Sequence, residues 1–241
     1  KCINLTSTYG DNPTGTSEAA GGVDLSNSTD QFHIVSLSEG TDGSTRLAVG
    51  MIGGDGHSTA TETDSGQVLL FTFDDGATGK DFDDGELAAV IGAGYDNDYD
   101  GNANPRSGKD YDIASPVEAS DFFGQALALD YDSTLNRHRL AVLARNDEGS
   151  GDAAGGDHGA VYLFTFTDDS FSGADHVGTI GHSYSGTSSF DYQVTSTETW
   201  GGGMSSVALD GNYLAIGSRY TTVTTNEDGQ VELFSLTNNT A

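Results

Sequence analysis

Asp96, Asp98, Asp100, Asn102 and Asn104 place an oxygen-bearing side chain at every second position, with Gly101 at the sixth of the run. Alternate oxygen donors around a glycine turn suit a hard cation, because calcium takes six to eight oxygen ligands and the chain must bend sharply to supply them. In such a site Asp96, Asp98 and Asp100 supply carboxylates, Asn102 its carbonyl and Asn104 the ninth-position ligand, so calcium is the expected cofactor. The competing reading is a solvated acidic loop. An EF-hand does not fit, because position twelve is Ser107 and no helical pattern flanks the run.

Other acids stand beside glycines. Asp64, Asp157 and Glu227-Asp228 each lie just before the glycine that opens a repeated strand, with Asp55 and Asp147 upstream. Clustered on one face they would repel one another until a cation relieved them; the simpler reading is turn chemistry, since Asp before Gly favours a tight turn. Asp130 and Asp132 form a further pair, and Asp210-Gly211-Asn212 reads as a hairpin turn. The six histidines, His33, His57, His138, His158, His176 and His182, show no His-x-x-x-His spacing, and residue order assembles no nucleophile-base-acid set. The chain therefore reads as non-enzymatic. A carboxylate-dependent hydrolase is the weakest alternative, because 37 acids bring some pairs to hydrolase spacing by chance. Trp200, ahead of Gly201-Gly202-Gly203, could stack on a sugar or pack beside a turn. Asn4, Asn27 and Asn238 open glycosylation sequons.

The 241 residues carry 9 Lys+Arg against 37 Asp+Glu, a net charge of −28. A polyanion repels phosphate backbones and anionic headgroups, so nucleic acid and membrane surfaces are excluded as basic-patch partners and cations are favoured. No apolar run approaches the roughly 20 residues that span a bilayer, so membrane insertion is not expected. The opening Lys1-Cys2-Ile3 implies a removed leader or a segment of something longer, and the single Cys2 has no internal disulfide partner. Acidity with little lysine suits an extracellular, saline or calcium-rich setting. The 34 glycines, about twice the usual share, suit short strands joined by turns.

The elements that would position these residues repeat in order. Leu47-Ala48-Val49-Gly50 recurs as Leu140-Ala141-Val142-Leu143 and Leu214-Ala215-Ile216-Gly217. Gly66-Gln67-Val68-Leu69-Leu70-Phe71 recurs as Gly159-Ala160-Val161-Tyr162-Leu163-Phe164 and Gly229-Gln230-Val231-Glu232-Leu233-Phe234. Before the first phrase, Phe123-Gly124 to Asp130 matches Gly203-Met204 to Asp210, with Phe32 to Leu37 as a degenerate copy. After the second, Ile91 to Tyr95 matches Ile180 to Tyr184. Each unit thus reads as four period-2 strands, and the chain as one all-β domain, 1–241, with units at 27–95, 119–184 and 200–241. The third unit lacks its fourth phrase, while Leu5 to Tyr9 repeats the apolar-x-x-x-Tyr spacing, so a strand at 3–10 is expected to complete it.

The succession Phe-Gly, Val-Ala-Leu-Asp, Leu-Ala-Val-Gly and Gly-x-Val-x-Leu-Phe resembles the FG-GAP repeat of integrin-alpha-type β-propellers and of large bacterial surface proteins. The resemblance covers most of the chain, with Phe32-His33 and Gly203-Met204 departing from the dipeptide. It implies four-stranded antiparallel blades, an extracellular location, calcium in loops, and adhesion or structural service. The run from Asp96 is similar to that family's Asp-x-Asp-x-Asp-Gly-x-x-Asp loop, with Asn104 in the last place and with the loop after the fourth strand instead of the first. Three blades are fewer than ordinary closed rings contain, so the open edges must be hidden. Either the N-terminal strand closes unit three of its own molecule, or it completes that of a neighbour to give a filament or ring, or the chain is a segment of a longer array. The leading expectation is a secreted structural or adhesive protein that self-associates; the alternative is an adhesin module for a glycan or protein ligand.

Overall fold

Strands form where β-branched, aromatic and leucine residues alternate between glycine-rich turns, and they stop where Asp-Gly or Asn-Gly chemistry breaks the run. The computed structural model describes residues 32–41, 43–56, 63–73, 85–95, 98–99, 102–103, 108–113, 117–150, 157–185, 190–194, 204–221 and 228–236. Among these residues the protein is all-β, without a helix.

Unit one comprises β1 (Phe32–Glu39), β2 (Thr45–Met51), β3 (Gln67–Thr72) and β4 (Glu86–Gly92), paired antiparallel in sequence order. A small hairpin follows, β5 (Asp98–Tyr99) with β6 (Asn102–Ala103). A short β7 (Tyr111–Asp112) then joins the outer edge of β4 in parallel. Unit two repeats the plan with β8 (Phe123–Asp132), β9 (Arg137–Ala144), β10 (Ala160–Thr165), β11 (Asp175–His182) and a parallel β12 (Tyr192–Val194). Unit three has β13 (Met204–Asp210), β14 (Tyr213–Thr221) and β15 (Asp228–Ser235). The sheets therefore hold five, five and three strands beside the two-stranded hairpin.

The four repeated phrases of units one and two are the four antiparallel strands. The expectation of four-stranded units is corrected by the fifth strand, which has a physical cause visible in both copies. Asp110 accepts a 2.7 Å hydrogen bond from the Val90 amide, and Asp191 a 2.8 Å bond from the equivalent Thr179 amide. Each carboxylate satisfies an edge amide of the fourth strand, and the tyrosine after it pairs with the same isoleucine, Ile91 with Tyr111 and Ile180 with Tyr192. The segment 3–10 lies outside the described residues.

The sheets stack face to face, with unit two in the middle. One cluster joins Val68, Leu70 and Ile91 of unit one to Phe123, Leu127, Leu129 and Val142 of unit two. A second joins Leu143, Val161, Leu163 and Ile180 of unit two to Met204, Leu214 and Ile216 of unit three. A third, Val49, Met51, Leu69, Phe71 and Val90, covers the opposite face of unit one. β3 and β10 are buried on both faces, which is why they read as unbroken apolar runs instead of alternating.

Between units one and two the backbones themselves meet. Phe123 N–H donates to Ser65 O at 2.8 Å, and Gly66 bridges Phe123 in parallel. A Cβ on Gly66, whose φ is +89°, would stand 2.0 Å from Phe123 O, and one on Gly50 would stand 2.2 Å from Gly124 O. Only glycine permits this approach. We expect Gly66→Ala to cost about 3 kcal/mol or more in urea unfolding, because strain at positive φ and a clash with immobile backbone add together. Gly211→Ala, at φ +55° with open space around it, should cost only about 1 kcal/mol.

Candidate functional site

The acidic run begins where β4 ends, and the phrase Ile-Gly-x-x-Tyr fixes that point. The ring of Tyr95 folds back over Gly92, where a Cβ would lie 3.0 Å from it, and its hydroxyl donates to Gln67 Oε1 at 2.6 Å. Tyr184 folds over Gly181 in the same way. After the excursion the chain returns at Asp110, bonded to Val90, and at Asp112, whose Oδ1 accepts from Gly94 N at 2.8 Å. The loop is thus pinned at both ends to the rim of sheet one. It spans 14 residues between Tyr95 and Asp110, against 6 between Tyr184 and Asp191 in unit two, and the alternating acids are in the longer copy.

Of the expected ligands, Asp98 and Asn102 are on the backbone hairpin, where Asp98 pairs with Ala103 and Tyr99 with Asn102. Asp96, Asp100 and Asn104 lie outside the described residues, as do Cys2, His57, Trp200, Glu227 and the three sequons. Among the described residues no group of three or more His, Cys, Asp or Glu side chains is arranged to hold a metal ion. No helix of the described residues is long and apolar enough to cross a membrane.

The acids beside glycines act in turns and clamps. Asp55 Oδ1 accepts from the amide of Asp64, itself at φ +55°. Asp132 Oδ1 accepts from Thr134 and Leu135 amides, and its other oxygen lies 2.5 Å from Arg139 Nη2. Asp130 accepts from Gly211 N of unit three at 2.7 Å, while Arg139 Nη1 donates to Gly211 O and Asn212 Oδ1, both at 2.9 Å. These groups rivet unit two to unit three.

The most perturbed ionisable groups form a cluster that residue order does not reveal. Asp147, 1% exposed, accepts from the hydroxyls of Tyr162 and Tyr184, the latter at 2.9 Å, and from Gly149 N at 2.8 Å. Burial raises its pKa, and those three donors oppose the rise. Asp121 is also 1% exposed and accepts from Glu118 N at 2.7 Å through one oxygen, while the other has no partner. Desolvation pushes it up to about 8; the Glu118 amide pulls down, and the charges of Asp147, Glu148 and Glu118 add to the rise. Its neighbours Ser120 and Phe122 both adopt positive φ, 70° and 55°. This strained loop is the seam between units, since Ser120 N donates to Thr63 O and Phe122 N to Asp64 O. In a chain of 37 acids nothing about Asp121 as a residue type marks it.

Four of the described histidines pack against other rings. His138 is fully buried between the rings of Tyr131 and Phe171, and desolvation lowers it to about 4, with Asp169 opposing and Arg46 assisting. His158 and His182 stack at 4.3 Å. His176 packs on Tyr162 and Phe164 and is held neutral by burial. Asp121, Asp147 and His138 are the buried members of this set, while His158, His176 and His182 are half-buried.

The linkage sign at Asp121 follows from its raised pKa. The fold keeps a proton that the unfolded chain releases above about pH 4, so this group removes stability as pH rises from about 4 to about 8. Asp121→Asn retains the bond from Glu118 N and abolishes the titration. Its melting temperature should fall less between about pH 5 and 8 than that of the unchanged protein; parallel curves would mean that Asp121 is ionised in the fold.

No known family and no curated protein matches the chain.

Proposed function

We propose that the chain is a secreted, non-enzymatic structural or adhesive β-repeat protein of the cell surface or extracellular matrix, its sheets serving as blades of FG-GAP type. The observation that carries this reading is the role of Phe123-Gly124. The dipeptide that resembles the family's signature lies against Gly50 and Gly66 and brings two sheets into backbone contact. Its service is architectural. The buried acids and histidines support the same reading, since Asp121, Asp147 and His138 are at most 1% exposed and sit where no substrate reaches them.

Calcium is the cofactor in this proposal, held by the run from Asp96 to Asn104. A loop pinned at Tyr95 and Asp110 loses less conformational entropy on closing around an ion than a free one. Melting temperature should rise by roughly 5 °C or more with calcium about a hundredfold above its dissociation constant. Asp96→Ala combined with Asp100→Ala should abolish the rise. A melting temperature indifferent to both calcium and chelator would show that the acids are merely solvated.

Self-association is the proposed mechanism. β15 pairs only with β14 among the described residues, whereas β3 and β10 each carry a fourth strand on the far side. Residues 3–10 are the proposed complement, within one molecule or between two. Thr6 occupies the sequence position that Gly92 and Gly181 hold in the other copies. If residues 3–10 exchange between molecules, removal of residues 1–10 should abolish assembly in electron micrographs; unaltered assemblies would eliminate strand exchange.

A further inference from the structure

The second and third sheets enter the stack in the same way. β8 lies on β1 and β2, and β13 lies on β8 and β9, so the first strand of each later unit leads the contact. The receiving face uses equivalent residues each time, Val68 and Leu70 in unit one and Val161 and Leu163 in unit two. The entering strand presents Leu127 and Leu129 in unit two, opposite Val142 and Leu140. In unit three it presents Val207 and Leu209, opposite Ile216 and Leu214.

The same register continues to the two ends of the stack. Val231 and Leu233 occupy the receiving positions of unit three, paired with Gly217 and Ala215. Val35 and Leu37 occupy the entering positions of unit one, paired with Val49 and Leu47. Val68, Leu70, Val161 and Leu163 are at most 3% exposed, whereas Val231 is 69% and Leu233 78% exposed. Leu127 and Leu129 are each 5% exposed, whereas Val35 is 60% and Leu37 58%. A repeat that ends an array is polar on its outer face. Unit three has the reverse polarity, with Gln230 and Glu232 on the strand face toward unit two and Val231 and Leu233 outward.

We infer that these surfaces are the two halves of one interface, and that a second copy of this chain docks head to tail, its β1 seated on β13, β14 and β15 of the first. The occupant is a second copy because the strand that fits unit three, β1 with Val35 and Leu37, is exposed on unit one of the same molecule, although Val49, Leu69 and Phe71 behind it on that face are buried. The contact is heterologous, so it propagates to a filament or closes to a ring according to its rotation. The inference rests on the self-association proposed above, for the case in which residues 3–10 close β15 of their own molecule, and uses sheet faces, not that edge.

Mixing experiments separate the possibilities. Sedimentation is measured in about 0.5 M NaCl, which screens the repulsion between copies of charge −28. The unchanged protein should show concentration-dependent oligomers. Leu233→Asp, which spoils the receiving face, and Leu37→Asp, which spoils the entering one, should each be monomeric with unchanged circular dichroism. Mixed one to one they should form dimers and nothing larger, because one intact half remains on each. Should either variant fail to fold, Leu37→Cys with Val231→Cys in a Cys2→Ser background should give a disulfide-linked ladder on oxidation. If the unchanged protein assembles and Leu233→Asp assembles equally well, face docking is wrong and self-association by another route stands. If the unchanged protein is monomeric at every concentration, both are wrong.

Discussion

The stack depends on one close approach, the passage of the Phe123-Gly124 backbone across Gly50 and Gly66. Two pleated sheets ordinarily stand about 10 Å apart with side chains between them. Here a main-chain bridge at Gly66 and a hydrogen bond from Phe123 N to Ser65 O join them directly at one corner. The corner fixes the spacing of everything further along. Phe123 enters the interior edge-on to Tyr162 and Phe164, and the leucines of β8 fall onto Ala48, Val68 and Leu70. The seam between units two and three is built differently. Leu143 replaces Gly50 and Met204 replaces Gly124, both buried, so side chains fill the gap that backbone occupies in the first seam.

What was legible in the sequence was the strand order, because each phrase keeps its alternation and its opening glycine through three copies. β1 to β4 and β8 to β11 follow from the phrases directly, and even the degenerate Phe32 to Leu37 copy is a strand. The fifth strands were not legible, although Asp110-Tyr111 and Asp191-Tyr192 repeat. A two-residue phrase carries no periodicity, and its function, an Asp capping an edge amide, appears only once the edge exists. The repeated bulges were equally hidden. β3 and β10 slip by one residue against their partners between Leu70 and Phe71 and between Leu163 and Phe164, and nothing in either strand's composition announces the extra Ala88 or Val177 opposite. At the candidate site, the alternating oxygens from Asp96 onward were conspicuous by spacing. Asp121 was invisible, because its chemistry comes from burial and not from its neighbours in sequence.

Charge is handled by separation. Only 9 Lys+Arg face 37 acids, so ion pairs cannot balance the chain. Two of the nine are committed to seams between units. Arg46, 5% exposed, donates from Nε to Asp169 O of unit two at 2.5 Å, and Thr41 N reaches a carboxylate oxygen of the same Asp169 at 2.9 Å. Arg139 does the corresponding work toward Gly211 and Asn212 of unit three. Both arginines end on backbone carbonyls of the next unit, groups that an acidic surface leaves available because carboxylates cannot donate to them. Each guanidinium thus orients a turn while its charge answers a nearby acid.

Among the described strands most acids stand at a strand's end, Glu39, Glu86, Asp132, Asp175 and Asp210 among them, while Glu232 faces unit two. The seam faces are mostly apolar, and the buried carboxylates are individually provided for: Asp110 accepts from an amide, Asp147 from two tyrosine hydroxyls and an amide, Asp132 pairs with Arg139, and burial raises the pKa of Asp121. That geometry explains how a molecule of charge −28 sustains face-to-face contact at all.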